Sequence, residues 1–209
     1  MFVRDIMTTA VITTEPGATL GHVCEVMQAR NVRHLPVVEG GRLIGVITDR
    51  DVHTATSSLC LTPAQPKGLV RDAMVHPPQT AHPLDPVEDA ARTMRALKIG
   101  CLPVLDGERL VGIVTGIDLL DALLRLTGVD KASGRLELRL PDKRGGLARL
   151  TALIAERQLN IHSILTYPEG AGQVRTVLRV DTLETRPLAT ALREAGFEVM
   201  WPTEKPWQS

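Results

Sequence analysis

The chain has 209 residues, enough for two or three small modules that each bury a hydrophobic core. Its 24 basic and 24 acidic residues give no net charge at neutral pH, which argues against DNA, RNA or an anionic membrane surface as a partner. Aromatic residues make up only 2% of the chain, too few for a platform that stacks the bases of single strands.

A sequence repeat occupies the first two thirds of the chain. Residues 3–7 (Val-Arg-Asp-Ile-Met) align with residues 70–74 (Val-Arg-Asp-Ala-Met) 67 positions later, and the Leu-Pro-Val of 35–37 recurs at 102–104. The alignment continues without a gap, with roughly a third of about fifty positions identical, which is typical of a duplicated module.

Each copy predicts the same elements in the same order. Apolar residues spaced i, i+3, i+4 and i+7 from Leu20 and from Val87 indicate an amphipathic helix in each copy. Two apolar strands joined by a glycine-containing turn follow, and then a second helix that opens near Asp49 or Gly116. The strands are expected at 35–38 and 43–48 in the first copy and at 102–105 and 110–115 in the second. Because a unit of this size cannot cover its own sheet, the two copies are expected to pack as a pseudo-symmetric pair.

Helix-start signals differ between the copies. Asp85, followed by Pro86, predicts a capped N-terminus for the first helix of the second copy, whereas the first copy, with Ala18, lacks that signal. The last helix of the second copy is indicated by leucines that line one side, Leu119, Leu120, Leu123 and Leu124.

A linker separates the two copies. Residues 62–68 contain two prolines and a glycine and have no apolar period. The modules are therefore expected at 1–66, 67–132 and 133–209.

The last third of the chain follows a different pattern. Leu136, Leu138 and Leu140 alternate with charged residues, which predicts a half-buried strand. A turn, a helix, two strands around a glycine-rich turn, a second helix and a final strand follow. The order is βαββαβ, so the chain is expected to be an α/β (α+β) protein that ends in a ferredoxin-like domain.

The cysteines and histidines indicate neither disulfides nor a metal site. Cys24, Cys60 and Cys101 form no even framework and no CxxC pair, which indicates reduced thiols and a cytoplasmic protein. The histidines do not cluster at ligand spacing, so no metal is expected. No apolar run approaches the roughly 20 residues of a membrane span, and no signal-peptide pattern is present, so no membrane partner is expected.

A Gly-x-x-Thr-x-x-Asp segment ends each copy, at 45–51 and at 112–118. Together with the Leu-Pro-Val strands and the Val-Arg-Asp-x-Met openings, these segments make residues 1–130 resemble the tandem CBS-domain pair, or Bateman module. The resemblance implies that adenosine ligands bind in clefts of the pair.

The C-terminal module resembles an ACT domain, a small regulatory module that often binds amino acids. The resemblance rests on the βαββαβ order, the turn at 142–147 and the helix exit at 159–161. A CBS pair followed by an ACT domain in a chain of this size is similar to the acetoin utilisation protein family, which implies a sensor without a catalytic domain.

Thr48 and Asp51, and Thr115 and Asp118 at the matching positions, allow two interpretations. A carboxylate at a helix start accepts hydrogen bonds from a ribose diol, while a hydroxyl and free backbone N–H groups hold a phosphate. The same residues form a capping box that satisfies helix amides without a ligand, and both interpretations can hold together.

The copies differ in charge beside these positions. Arg33 and His34 precede the first Leu-Pro where the second copy has residues 100–101, Gly-Cys, and Arg50 is matched by Ile117. The resemblance implies phosphate contacts at such positions, so the first copy is expected to hold AMP, ADP or ATP more tightly. The alternative is a solvated arginine and a neutral histidine at a sheet edge.

The resemblance implies two sets of ligand contacts. The nucleotide contacts would be Thr13, Arg33, His34, Pro36, Thr48, Arg50, Asp51, Thr80, Pro103, Thr115 and Asp118. The ACT contacts would be Asp142, Gly145, Gly146, Leu147 and Asn160, with Asn160 near a partner interface. The alternative for the second set is an ordinary glycine turn and a helix-ending asparagine.

Three functions remain open. The first is a homodimeric regulatory protein that binds an adenine nucleotide, and an amino acid or small metabolite, and signals to an unidentified target. The second is a scaffold that keeps the fold and binds only a protein. The third is an enzyme of acetoin catabolism, but the sequence contains no nucleophile elbow, P-loop or dinucleotide fingerprint, so neither catalytic residues nor a catalytic cofactor are predicted.

Overall fold

The computed structural model describes residues 1–57 and 68–203. The predicted linker and Cys60 lie outside these residues, apart from Gly68 at the linker's end. In chain order the helices and strands are α1 (Leu20–Arg30), β1 (His34–Glu39), β2 (Arg42–Thr48), α2 (Asp49–Thr56), α3 (Val87–Leu97), β3 (Cys101–Asp106), β4 (Arg109–Thr115), α4 (Gly116–Thr127), β5 (Gly134–Pro141), α5 (Gly146–Glu156), β6 (Ile161–Gly170), β7 (Gln173–Val180), α6 (Arg186–Glu194) and β8 (Glu198–Trp201).

The duplication predicted from the sequence is confirmed in the two hairpins. β1 pairs antiparallel with β2 from His34 opposite Thr48, and β3 pairs with β4 from Cys101 opposite Thr115. Each hairpin shifts register at the same point, between the fourth and fifth residues of its first strand. We call α1 to α2 the first repeat and α3 to α4 the second repeat.

The segment that opens each repeat packs into the core of the other repeat. We call these the leader segments, residues 3–8 and 70–75. Val3 is fully buried in the core under α3, β3 and β4, and its N–H donates to the Asp85 carbonyl at 2.9 Å. Val70 is fully buried in the core under α1, β1 and β2, and its N–H donates to the Ala18 carbonyl at 2.9 Å. The two repeats therefore form a single interlocked unit, Met1–Ala122.

The packing of each leader segment on the other repeat explains a glycine that both repeats share. A Cβ on Gly112 would lie 2.6 Å from Met7 Sδ, and a Cβ on Gly45 would lie 2.7 Å from Met74 Sδ. Real Cβ atoms do not approach so closely, so a side chain at either glycine would force the leader methionine to shift from its present position.

The prediction about helix caps is wrong in both repeats. Thr19 caps α1, since its Oγ1 accepts the His22 N–H at 3.2 Å. At α3 the N-cap is Pro86, which has no capping side chain. The carboxylate of Asp85 accepts the His82 N–H at 2.7 Å instead and stabilises the preceding turn.

The apolar side of α4 is largely uncovered. The helix is present as predicted, but Leu120, Leu123 and Leu124 are exposed by 56%, 54% and 44%. Its buried residue is Ala122. The second compact unit begins within this helix, at Leu123.

The C-terminal domain has the predicted βαββαβ order. Its four strands are arranged β6-β7-β5-β8, with the first and third strands of the domain in the centre. The core lies between this sheet and helices α5 and α6. The predicted alternating residues Leu136 and Leu138 are fully buried there, together with Leu178 and Val180.

An ion-pair network covers part of the outer face of this sheet. Arg139 bonds Glu169 at 2.7 Å, Arg175 bonds Glu137 at 2.8 Å, and Arg175 also pairs with Glu169. Hydrogen bonds from Arg139 and Arg175 lower the pKa of the Glu169 carboxyl to about 2. The network holds β5, β6 and β7 in register across the face opposite the core.

Candidate functional site

A reciprocal hydrogen-bond pair opens α2. The Thr48 N–H and hydroxyl donate to Asp51 Oδ2 at 2.9 and 2.8 Å, and the Asp51 N–H donates to Thr48 Oγ1 at 3.2 Å. This is a capping box, as one of the two interpretations of Thr-x-x-Asp predicts.

The same geometry opens α4. The Thr115 N–H and hydroxyl each donate to Asp118 Oδ2 at 2.7 Å, and the Asp118 N–H reaches Thr115 Oγ1 at 3.4 Å. In both boxes one carboxylate oxygen, Oδ2, takes the internal bonds. Within residues 1–57 and 68–203, no donor is bonded to Oδ1 of Asp51 or Asp118, so each aspartate is held in place with an acceptor to spare.

A cleft of about 220 Å³ lies where the two repeats meet, beside the box of Asp51. Residues 48–51 and His34 form its wall in the first repeat, and residues 98–101 form its wall in the second repeat. Val75, Pro78 and Gln79 line it as well. We call this the first cleft; the second cleft is the equivalent position beside Asp118.

His34 and Gly100 lie in close contact in the first cleft. A Cβ on Gly100 would be 2.6 Å from His34 Nε2, so the imidazole packs directly on the glycine. Burial, partly opposed by Asp49, lowers the pKa of His34. The imidazole is therefore mostly neutral at pH 7, which agrees with the neutral sheet-edge alternative.

Three further side chains set the charge and the apolar character of the first cleft. Arg50 and Lys98, both solvent-exposed, supply cations from opposite repeats. Burial, followed by the nearby Asp51 carboxylate, raises the pKa of the Cys101 thiol to about 12, so this cysteine is a protonated, apolar wall residue rather than a nucleophile. The lining of the first cleft thus contains side chains suited to anionic groups, to sugar hydroxyls and to flat apolar groups.

The structure does not bring all predicted nucleotide contacts together. His34, Thr48, Arg50 and Asp51 line the first cleft, whereas Arg33 lines a separate groove between α1 and α2. The remaining predicted contacts lie away from the lining of the first cleft: Pro36 and Pro103 are buried within β1 and β3, Thr13 and Thr80 are exposed on the approaches to these strands, and Thr115 and Asp118 open α4.

Sequence reasoning missed Lys98, Pro78 and Gln79 as lining residues. The signal was present in the 67-residue offset, which pairs 98–101 with 31–34. Finding these residues would have required the further knowledge that the segment before β3 faces Asp51 across the pair, which is a tertiary property.

The predicted ACT contacts fall into two groups. Asp142, Gly145, Gly146 and Leu147 lie at the N-terminus of α5, where Gly145 adopts a left-handed φ of +85°. Asn160 lies beyond the other end of α5, where its N–H donates to Asp181 Oδ1 at 2.9 Å. A helix of 11 residues separates the two groups by about 16 Å, so one copy of the domain does not assemble the whole set.

The described part of the chain contains neither a metal-ligand cluster nor a membrane-spanning helix. Among residues 1–57 and 68–203 there is no group of three or more histidine, cysteine, aspartate or glutamate side chains placed to hold a metal ion. No helix within these ranges is long and apolar enough to cross a bilayer.

Comparison with known proteins identifies both parts of the chain. The profile of the CBS domain matches residues 3–57 and 70–125, more than half of the chain. The chain belongs to the CBS-domain family. The profile of the ACT domain matches residues 134–197, so the CBS pair is followed by an ACT domain. A CBS domain-containing protein of Dictyostelium discoideum is 36% identical over 135 residues, which cover 60% of this chain and 93% of that protein.

Three solved structures resemble the CBS pair. The CBS domain pair of protein MJ0100, in complex with 5′-methylthioadenosine and S-adenosyl-L-methionine, is 31% identical, covers 63% of this chain and 98% of its own, and has a TM-score of 0.54. CBSX2 in complex with AMP is 29% identical, with coverage of 59% and 96% and a TM-score of 0.52. A Vibrio cholerae protein named for acetoin utilization is 30% identical, with coverage of 63% and 98% and a TM-score of 0.53.

Proposed function

We propose that this chain is a non-catalytic regulatory protein whose CBS pair binds an adenine nucleotide or a related adenosyl ligand. The observation that carries the proposal is Asp51, which lines the first cleft with Oδ2 held by Thr48 and Oδ1 available to a ligand. A ribose hydroxyl is a donor suited to that oxygen.

The rest of the first cleft fits the other parts of such a ligand. Val46, Val75 and Ile99 offer an apolar wall for an adenine ring, and Arg50 and Lys98 supply positive charge for phosphate. The complexes of similar CBS pairs with AMP and with adenosyl thioethers support this choice of ligand class.

Calorimetry with AMP, ATP and S-adenosylmethionine tests the proposal. We expect at least one of them to bind, Asp51→Ala to weaken binding by about tenfold or more, and Asp118→Ala to weaken it less. Asp85→Ala is the matched control, because it also removes a carboxylate that accepts a backbone N–H but lies outside the lining of the first cleft. No heat with any of the three ligands would overturn the proposal and favour the scaffold function. Equal affinities of the Asp51 and Asp118 variants would overturn the asymmetry.

The ACT domain is proposed to bind an amino acid or small metabolite between two copies of the chain. The separation of Gly145 from Asn160 supports a shared site, since a partner can supply the missing group. The exposed leucines of α4 support a homodimer for a second reason, because self-association would bury them. Sedimentation as a monomer at all concentrations would contradict the dimer.

The target and the compartment complete the proposal. The similarity of the CBS pair to the Vibrio cholerae protein supports a metabolic target related to acetoin use. Free thiols at Cys24 and Cys101 support a reducing compartment such as the cytoplasm.

A further inference from the structure

One helix belongs to both compact units of the chain. α4 runs unbroken from Gly116 to Thr127, and the division between the units falls within it, between Ala122 and Leu123. Its first turn therefore lies in the CBS pair and its last turn lies in the unit that contains the ACT domain.

The first turn of α4 contains Asp118, the aspartate expected to bind a ligand in the second cleft. Asp118 holds the Thr115 N–H and hydroxyl at 2.7 Å each, so the carboxylate and the start of the helix are fixed to one another. A ribose hydroxyl that bonds Asp118 adds a donor to this same carboxylate and changes the forces on the first turn.

The last turn of α4 is bonded to strand β6. The Ser163 hydroxyl donates to the Thr127 carbonyl at 2.7 Å and satisfies one of the acceptors that a helix C-terminus leaves unpaired. Gly128, at a left-handed φ of +69°, packs beside it, because a Cβ there would meet Ser163 Oγ at 3.2 Å. A shift of α4 of about 1 Å would take the Ser163 bond beyond hydrogen-bond distance.

We propose that α4 couples occupancy of the second cleft to the state of strand β6 in the ACT domain, through Asp118 at one end and Ser163 at the other. The proposal rests on the adenosyl-binding function of the CBS pair. Asp118 and Thr127 are joined by a continuous ladder of helix hydrogen bonds over about 14 Å, so the two ends move together. The helix beside the first cleft differs from α4, since α2 has eight residues and lies wholly within the first unit.

Hydrogen exchange on the full chain, with AMP and then S-adenosylmethionine as probes, tests the coupling. We expect each ligand that binds to change the exchange rates of amides in β6 by about threefold or more in the wild type and in Asp51→Ala, but not in Asp118→Ala. Ser163→Ala should abolish the change while the CBS pair still binds the ligand. The matched control is Thr166→Val. It removes a hydroxyl on the same strand, but that hydroxyl bonds Thr176 at 3.4 Å and not α4. This variant should keep the wild-type change in β6 exchange. A β6 response that survives Asp118→Ala or Ser163→Ala overturns the coupling.

The test separates this proposal from the function on which it rests. If neither ligand binds, the binding function fails, and the coupling is then tested without ligand by Thr115→Ala and Thr48→Ala. Breaking the box at α4 should raise exchange in β6, and breaking the box at α2 should not. Equal effects of the two variants on β6 exchange, or no effect of Thr115→Ala, would show that α4 does not couple Asp118 to β6.

Discussion

The two CBS repeats share a backbone and differ in the side chains around their clefts. Both have the same hairpin register and the same Thr-Asp capping box. Yet Arg50 in the first repeat is matched by Ile117 in the second, and the eight residues of α2 are matched by the twelve of α4. The box is needed to start a helix, whereas the residues beside it are not needed for folding, so duplication leaves them free to acquire separate roles.

Variants of the leader segments, which cross between the repeats, are expected to have the largest effect on stability. Val3→Ala should destabilise the protein by about 1–3 kcal/mol, because it opens a cavity in a fully buried site, and Val70→Ala should do the same. Val3→Ala should raise local hydrogen exchange in α3, and Val70→Ala should raise it in α1. In each case the affected helix belongs to the other repeat, not to the repeat that the residue opens. Faster hydrogen exchange in the repeat that the mutated residue opens would contradict the crossing of the leader segments.

A swap between Arg50 and Ile117 addresses the charge difference. In an Asp118→Ala background, Arg50→Ile should lower AMP affinity of the first cleft by about two- to fivefold, the effect of one exposed ion pair. In an Asp51→Ala background, Ile117→Arg should raise the affinity of the second cleft by a similar factor. Calorimetry at low and high salt checks both, because a charge effect weakens with salt. An unchanged affinity in both backgrounds would mean that this position does not distinguish the clefts.

The pH dependence of His34 gives the smallest effect. Its pKa in the folded protein is lowered below 6.5, chiefly by burial, so the unfolded chain binds the proton more readily. The neutral imidazole therefore makes its full contribution to the free energy of unfolding above pH 6.5. This contribution is lost as the pH falls from 6.5 toward the lower pKa of the folded protein. We expect His34→Asn to flatten the loss of thermal stability below pH 6.5, whereas His53→Asn, at an exposed position on α2, should leave it unchanged. The same acid sensitivity in His34→Asn would rule out this residue as the source.

Much of the fold could be predicted because its signals are local. The apolar period placed α1 and α3, alternation placed β5, and the Thr-x-x-Asp spacing placed two capping boxes whose bonds join residues three apart. The helix caps show the limit of such signals. Asp85 has the residue type of a cap but bonds the turn before α3, because a short carboxylate can satisfy either set of amides.

The candidate site was predicted only in part. His34, Arg50 and Asp51 meet in the first cleft, but Arg33, next to His34 in sequence, lines another groove. Arg33 lies before the start of β1 and His34 is its first residue, and residues adjacent in sequence need not line the same cavity.

The sequence by itself determined the duplication, the order of the elements and the helix-start chemistry at Asp51 and Asp118, since each depends on periodicity or on hydrogen bonds within one turn. Only the tertiary structure decided that the leader segments cross between repeats, that Lys98 and Asp51 line the same cleft, and that the leucines of α4 remain exposed. A period shows that a face is apolar, but which surface covers that face depends on how distant segments pack, and packing is a property of the whole fold.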